Sequence, residues 1–108
     1  MKLENKVAIV TGGGKGIGAE ICFRLAKEGT KLVIAEMDTE SGKKTQKKII
    51  DNQGEAIVVN TNVADEISVN NMVKEAIKKF SKIDILINNA GIRPVSYTHL
   101  TLPTRLSV

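Results

Sequence analysis

The sequence predicts an α/β fold in which a parallel β-sheet is covered by helices on both faces. Four short apolar runs recur along the 108-residue chain, and segments with helical spacing of apolar residues separate them. Continuous apolar runs are typical of parallel strands that are buried on both faces. Apolar residues make up 42% of the chain and charged residues 26%, which agrees with one small globular unit.

The first strand is predicted at Val7–Val10, directly before a cluster of glycines. From Ile17 to about Glu28, apolar residues recur on one face of a helix, and Gly29 provides its C-terminal stop. The second strand is predicted at Leu32–Ala35. These elements form the first strand–helix–strand unit.

A second helix is predicted to begin after Asp38 or Thr39, either of which can cap it, and to run to about Gln53. Its only large apolar residues are Ile49 and Ile50. We therefore expect this helix to pack lightly and to contribute little to the core.

The third strand is predicted at Ala56–Val59, and Asp65 is expected to cap the third helix. A fourth strand follows at Ile83–Ile87, interrupted only by Asp84. Short connections between parallel strands imply right-handed crossovers and the spatial strand order 3-2-1-4. The third helix carries the clearest apolar stripe of the chain: Val69, Met72, Val73, Ala76, Ile77 and Phe80.

The composition changes after residue 91. Residues 92–108 contain both prolines, the single histidine and the single tyrosine but no acid, whereas the first 91 residues hold all twelve acids. We expect a domain at residues 1–92 and an irregular tail at 93–108. The tail is either a native linker or a foreign or frame-shifted end, and the abrupt change favours the second interpretation.

Charge and composition argue against several other classes of protein. The net charge is +4, but the lysines alternate with acids on predicted helices, and aromatic residues are only 3% of the chain, so no nucleic-acid partner is expected. The longest strongly apolar runs are far below the roughly 20 residues that cross a membrane. No secretory leader or metal site is expected. The single cysteine, Cys22, is expected to be a buried side chain in a cytoplasmic protein.

The segment Thr11–Gly18 reads TGGGKGIG and joins the first strand to the first helix. The start of a helix offers unpaired N–H groups and a partial positive charge, so such a turn predicts a pyrophosphate site. Gly12 permits the bend, Gly16 lets the backbone approach phosphate, and Gly18 allows close packing. A Walker A motif is excluded, because Ser or Thr does not follow the lysine. Three further residues complete the predicted loop: Gly14, Lys15 and Ile17.

Glu36 lies at the end of the second strand, twenty residues beyond Gly16. A carboxylate there can accept both ribose hydroxyls of NAD and repels the 2′-phosphate of NADP. Asp38 is the alternative acceptor, since strand alternation directs it to the same side. Lys15 opposes this preference, because a cation could pair with the 2′-phosphate. We therefore predict NAD as the cofactor, with NADP as the alternative.

Together these segments resemble the short-chain dehydrogenase/reductase family. Thr11–Gly18 fits its Thr-Gly-x-x-x-Gly-x-Gly pattern, and Asn88-Asn89-Ala90-Gly91 fits its motif after the fourth strand. The resemblance extends from about Lys2 to Ile92. It implies the first half of a Rossmann-type domain, similar to 3-oxoacyl-carrier-protein reductases and to alcohol or sugar dehydrogenases.

The resemblance also implies roles for individual residues. Gly12 to Gly18 would contact the phosphates, Glu36 the adenosine ribose, and Asn62 with Val63 the adenine. Asn62 stands where many relatives have Asp, and it keeps a carbonyl acceptor while losing the charge. Asn89 has the alternative role of tying neighbouring strands together. The residues that remain are expected beside the cofactor: Asn88, Ala90 and Gly91.

Hydride transfer between a carbonyl and an alcohol in this family needs a tyrosine, a lysine four residues later, and a serine. None of the three can be assigned. Thr101 stands four residues after Tyr97, so no ammonium would lower the pKa of that phenol. We expect no catalytic role for Ser96, Tyr97 or His99.

The chain is therefore interpreted as an NAD(P)-dependent oxidoreductase that is incomplete before its catalytic residues. The alternatives are a non-catalytic dinucleotide-binding module and a fragment without function. A full-length form is expected to form homo-oligomers and to act on a carbonyl or alcohol that the sequence does not identify. The fourth strand is expected to expose an unpaired apolar edge, so the isolated chain should aggregate or fold marginally.

Overall fold

The computed structural model describes residues 3–89 and the backbone of residues 106–107. Strands and helices alternate in the predicted order, with boundaries within a few residues of those expected. The elements are β1 (Val7–Thr11), α1 (Gly16–Lys27), β2 (Lys31–Glu36), α2 (Thr39–Asp51), β3 (Ala56–Asn60), α3 (Glu66–Phe80), β4 (Ile85–Ile87) and β5 (Leu106–Ser107).

All strands of the sheet are parallel, and their spatial order is β3-β2-β1-β4-β5. The predicted order 3-2-1-4 is confirmed. Val10 in the central strand aligns with Ile34 of β2 on one side and with Ile87 of β4 on the other. Because the strands are parallel, their carboxyl ends lie along one edge of the sheet, where such folds bind ligands.

The core has one layer on each face of the sheet, as expected for parallel strands covered on both sides. Successive residues of β1 point to opposite layers. One layer lies beneath α3 and includes Val7, Ile9, Val33, Val69, Met72 and Ala76. The other lies beneath α1 and α2 and includes Ala8, Val10, Cys22, Leu32, Ile34 and Ile49.

Cys22 is buried in the second of these layers, as predicted. Burial raises the pKa of its thiol to about 12. The side chain therefore packs as a small apolar group and has no nucleophilic character at neutral pH.

The expectation that α2 packs lightly is wrong. Gly42, Thr45 and Ile49 of this helix are buried. A Cβ at Gly42 would lie 2.8 Å from a methyl carbon of Val58, so the helix approaches β3 closely through small residues. Asp38 is the residue that caps the helix, by accepting a hydrogen bond from the Ser41 amide at 3.3 Å.

The fourth strand begins at Ile85, two residues later than predicted. The Asp84 carboxylate accepts a hydrogen bond from the Val7 amide at 2.9 Å, and the Asp84 amide donates to the Val7 carbonyl at 2.9 Å. The carboxylate of Asp84 thus accepts the hydrogen bond that a backbone carbonyl would accept in a regular strand pair. Ile83 lies before the strand but is buried in the core. Its apolar side chain therefore reflects core packing and not membership of the strand.

The outer edge of β4 is paired, contrary to expectation. Ile85 aligns with Leu106 and Leu86 with Ser107 in a short parallel ladder. Residues 90–105 and 108 lie outside the described residues, so the domain boundary near residue 92 stays a prediction. Within the described part of the chain, no helix has the length and apolar character required to cross a membrane.

We predict that Asp84→Asn destabilises the fold by about 1 kcal/mol at neutral pH, because the Val7 amide loses a charged acceptor. Burial raises the pKa of Asp84, but the hydrogen bond from Val7 and the contact with Lys82 outweigh it and leave the pKa below its usual value. A depressed pKa stabilises the fold above the unfolded-state value near 4, and this contribution is lost as the pH falls through the folded-state value.

Urea denaturation across a series of pH values measures this effect. The difference between wild type and Asp84→Asn should shrink as the pH falls below about 4. Asp51→Asn is the matched control, because Asp51 forms an exposed ion pair with Lys47 and its loss should change stability little. A difference for Asp84→Asn that is independent of pH would contradict the assignment.

Candidate functional site

The turn that follows β1 is built on glycines in the left-handed region of backbone space. Gly12 has a φ of +66° and Gly16 a φ of +50°. Residues with a Cβ are strained there, whereas glycine is not. The Gly12 amide donates to the Ala35 carbonyl at 2.8 Å, so the turn begins as a continuation of the pairing between β1 and β2.

Gly18 and Gly14 are required by close packing. A Cβ at Gly18 would overlap the Gly12 carbonyl oxygen and would lie 2.5 Å from the Asn89 amide nitrogen. The predicted need for a small residue at Gly18 thus holds, although its close neighbours are the turn and Asn89. A Cβ at Gly14 would lie 2.7 Å from the Gly42 amide nitrogen, so Gly14 lies against α2.

The N-terminus of α1 has the properties of an anion site. Lys15 is its N-cap residue, but the lysine side chain makes no capping hydrogen bond, and the first turn holds no acidic residue. The first amides of the helix and the positive end of its dipole are therefore available to a ligand. Among residues 3–89, apart from its chain neighbours and the adjoining helix backbone, no atom lies within 4 Å of the Cβ position of Gly16. Ile17 is 74% exposed. This open space lies directly beside the amides.

Glu36 ends β2 and holds the glycine turn. One carboxylate oxygen accepts from the Gly14 amide at 2.9 Å, and the other accepts from the Asp38 amide at 3.2 Å. A carboxylate offers about four acceptor positions, so capacity remains for hydroxyl groups of a ligand. Sequence reasoning assigned Glu36 a ribose contact and missed this structural role.

Lys15 and Asp38 form an ion pair at the same edge of the sheet. The lysine nitrogen lies 3.0 Å from a carboxylate oxygen of Asp38. Hydrogen bonds from Lys15 and Ser41 lower the pKa of Asp38 to about 2, and Asp38 in turn raises the pKa of Lys15. Both groups are charged at physiological pH. The alternative ribose acceptor is therefore engaged with the loop cation.

The end of β4 is tied to the glycine turn by two asparagines. The Asn89 side chain donates to the Gly12 carbonyl at 3.3 Å, and its backbone amide donates to the Thr11 hydroxyl at 2.9 Å. The side-chain oxygen Oδ1 of Asn88 accepts from the same hydroxyl at 3.4 Å. The strand-tying role considered for Asn89 is thus confirmed. Ala90 and Gly91 lie outside the described residues.

The loop after β3 supplies the far side of the site. The Asn62 side-chain oxygen accepts from the Ala64 amide at 3.0 Å, and the Asn62 amide donates to the Ser68 hydroxyl at 2.9 Å. The carbonyl oxygen proposed as an adenine acceptor therefore also shapes its own loop. Sequence reasoning missed Met37 and Thr61, which enter the site because they directly follow β2 and β3.

These elements enclose a cleft of about 290 Å³ at the carboxyl edge of the sheet. Five of the predicted ligand residues line it, while the others among the described residues lie in the turn, at the start of α1 or beneath the turn. The lining residues are Gly12, Lys15, Ala35, Glu36, Met37, Thr61, Asn62, Val63 and Asn89.

A larger cleft of about 530 Å³ lies between α1 and α2, near Phe23 and Lys48. Its lining comes from these two helices and the turn after α2, away from the carboxyl ends of the strands. Parallel sheets of this kind bind ligands at those ends, so the smaller cleft is the better candidate in spite of its size.

Comparison with known proteins agrees with the geometry of this site. A family model described as short chain dehydrogenase matches residues 6–105. An uncharacterized oxidoreductase of Thermotoga maritima is 45% identical over 93 residues, which cover 86% of this chain and 36% of that protein. A 3-oxoacyl-[acyl-carrier-protein] reductase of Synechocystis sp. is 44% identical over 92 residues, covering 83% of this chain and 37% of that protein.

Solved structures show the same fold. The crystal structure of NAD⁺-bound xylitol dehydrogenase superimposes with a TM-score of 0.82 and 35% identity, covering 86% of this chain and 36% of that one. A 3-ketoacyl-(acyl-carrier-protein) reductase from Brucella melitensis complexed with NADH gives a TM-score of 0.77 and 41% identity, covering 83% of this chain and 36% of that one. The chain thus spans just over a third of the length of the curated relatives that it matches.

We predict different costs for alanine at two glycines of the turn. Gly18→Ala should lower the free energy of unfolding by at least about 3 kcal/mol, because the new methyl group would overlap a backbone oxygen. Gly16→Ala should lower the free energy of unfolding by only about 1 kcal/mol, since the new methyl group enters open space and the only penalty is the backbone strain of a positive φ. Denaturant titration of both variants compares the two values. Equal costs, or a larger one at Gly16, would contradict this packing.

Proposed function

Because this chain belongs to the short-chain dehydrogenase family, we propose that its cleft binds the adenosine and diphosphate parts of NAD. We further propose that the longer protein transfers hydride between NAD and a carbonyl or alcohol group. The observation that carries the proposal is the N-terminus of α1, whose N-cap residue Lys15 lines the cleft and makes no side-chain capping hydrogen bond. Its amides suit an anionic group better than any other element along the described residues.

The space around Gly16 supports a diphosphate at this position. No other part of the described chain comes within 4 Å of the Cβ position, apart from the chain neighbours and the backbone of α1, so a ligand can approach the backbone closely. Lys15, at the mouth of the same cleft, adds a positive charge. A dinucleotide therefore fits both the shape and the charge of the turn.

Glu36 supports NAD as the preferred cofactor. Its carboxylate stands at the carboxyl end of β2, where it can accept hydrogen bonds from two ribose hydroxyls. The same negative charge disfavours a 2′-phosphate. Neighbouring structures were determined with NAD or NADH, as in the xylitol dehydrogenase and the Brucella melitensis reductase.

The described part of the chain is suited to binding more than to proton transfer. Among residues 3–89, the cleft is lined by no tyrosine, histidine or cysteine. A bound nicotinamide nucleotide supplies the hydride chemistry itself. We propose that Asn88 and Asn89 hold the turn in place while the dinucleotide is bound. Ser96, Tyr97 and His99 lie outside the described residues, and their exclusion from catalysis stays a prediction.

Three expectations belong to this proposal. We propose a cytoplasmic location, because the single cysteine is buried as a free thiol. The longer protein is expected to form homo-oligomers. Its substrate is a carbonyl or alcohol compound of a class that the cleft does not specify.

We predict that Gly16→Ala weakens NADH binding at least tenfold, because the methyl group occupies the space beside the phosphate-binding amides. Gly29→Ala is the matched control. Gly29 also has a positive φ, of +91°, but it follows α1 at the opposite end of the helix. The two variants therefore share a positive φ, and only Gly16 lies at the start of α1.

Titration of NADH fluorescence gives both dissociation constants, and a thermal melt verifies that each variant is folded. The control should bind NADH within about twofold of wild type, a difference below roughly 0.5 kcal/mol. Wild-type affinity in folded Gly16→Ala would contradict the proposal.

A further inference from the structure

We propose that Asp38 determines the preference for NAD over NADP by holding Lys15 in an ion pair, so that the loop cation is not free to bind a 2′-phosphate. This inference rests on the proposed function, because it concerns the same nucleotide site. It adds a specificity residue that does not itself contact the ribose. The sequence predicts discrimination by a carboxylate that contacts the ribose, either Glu36 or, as the alternative, Asp38, with Lys15 opposing it.

Asp38 is a fixed charge. Its position as N-cap of α2 restricts the backbone, and Ser41 holds both carboxylate oxygens, through its amide at 3.3 Å and its hydroxyl at 2.8 Å. Lys15 reaches this carboxylate at 3.0 Å with a long side chain that is 68% exposed. The fixed member of the pair is therefore the acid, and the lysine moves to it.

The pair changes the charge that a nucleotide meets. Glu36 and Asp38 contribute two negative charges and Lys15 one positive charge, which leaves the edge of β2 net negative. A hydroxyl group of NAD brings no charge and can donate to a carboxylate. A 2′-phosphate brings nearly two negative charges at neutral pH and is repelled by both acids. A lysine that is already paired with Asp38 offsets only part of this repulsion.

The effect should be moderate in size. The ion pair is exposed to solvent and therefore weak, so the phosphate can compete with Asp38 for the lysine. Hydrogen bonds from Lys15 and Ser41 keep the pKa of Asp38 near 2, so the carboxylate stays charged at every physiological pH. The contribution of Asp38 to the preference is therefore expected to be constant with pH in the neutral range.

The test measures dissociation constants of NADH and NADPH for this chain and for Asp38→Asn. Asparagine also caps helix N-termini, so the start of α2 is retained while the charge is removed. We expect NADPH affinity to rise about fivefold, which corresponds to roughly 1 kcal/mol, and NADH affinity to change less. The ratio of the two constants is the readout, because a purely structural defect would weaken both cofactors together.

Asp51→Asn is the matched control. Asp51 lies on the same helix and pairs with Lys47 at 3.2 Å, with its side chain 60% exposed. Asp51→Asn changes the net charge of the chain by the same amount as Asp38→Asn, but at a position that does not line the cleft. The cofactor ratio should stay at the wild-type value in this variant.

The double variant Lys15→Met with Asp38→Asn identifies the group responsible. The gain in NADPH affinity should disappear, since the released lysine is what binds the phosphate. An unchanged ratio in Asp38→Asn, or a gain that persists without Lys15, overturns the inference. If the wild-type chain still binds NADH, such a result contradicts only this inference and leaves the proposed function intact. Absence of NADH binding by wild type overturns both.

Discussion

The glycine turn between β1 and α1 is held in place by side chains from other strands, and the site depends on this constraint. Glu36 at the end of β2 accepts from the Gly14 amide, and Asn89 after β4 donates to the Gly12 carbonyl. The turn is therefore supported from both neighbours of β1. These contacts do not use the first amides of α1, which no side chain caps and which are therefore available to a ligand.

The same residues serve the fold and the ligand. Glu36 anchors the turn and is the proposed ribose acceptor, while Asp38 caps α2 and pairs with Lys15. A substitution at either acid therefore changes loop geometry together with local charge. Asn is informative at Asp38 because it keeps the cap, whereas Glu36 has no neutral replacement that retains two acceptor oxygens. This coupling explains why the specificity test relies on Asp38.

Much of the fold could be predicted because buried parallel strands and amphipathic helices leave periodic apolar patterns. The packing of α2 could not, since Gly42 and Thr45 are small residues outside any hydrophobic stripe. The start of β4 was misplaced because Asp84 lies inside an apolar run and pairs with Val7 by its side chain. At the site, motif spacing identified the turn and Glu36. The pairing of Lys15 with Asp38 depends on tertiary geometry that spacing does not encode.

The central claim is that the first amides of α1 bind the diphosphate of a nicotinamide nucleotide. Amide chemical shifts of the isotope-labelled chain, recorded by NMR during titration with NADH, test it most directly. If the diphosphate binds there, the largest shifts should occur at Gly16, Ile17 and Gly18, with smaller shifts around Glu36. Shifts that are largest in the cleft between α1 and α2, near Phe23 and Lys48, with none at the start of α1, would contradict it.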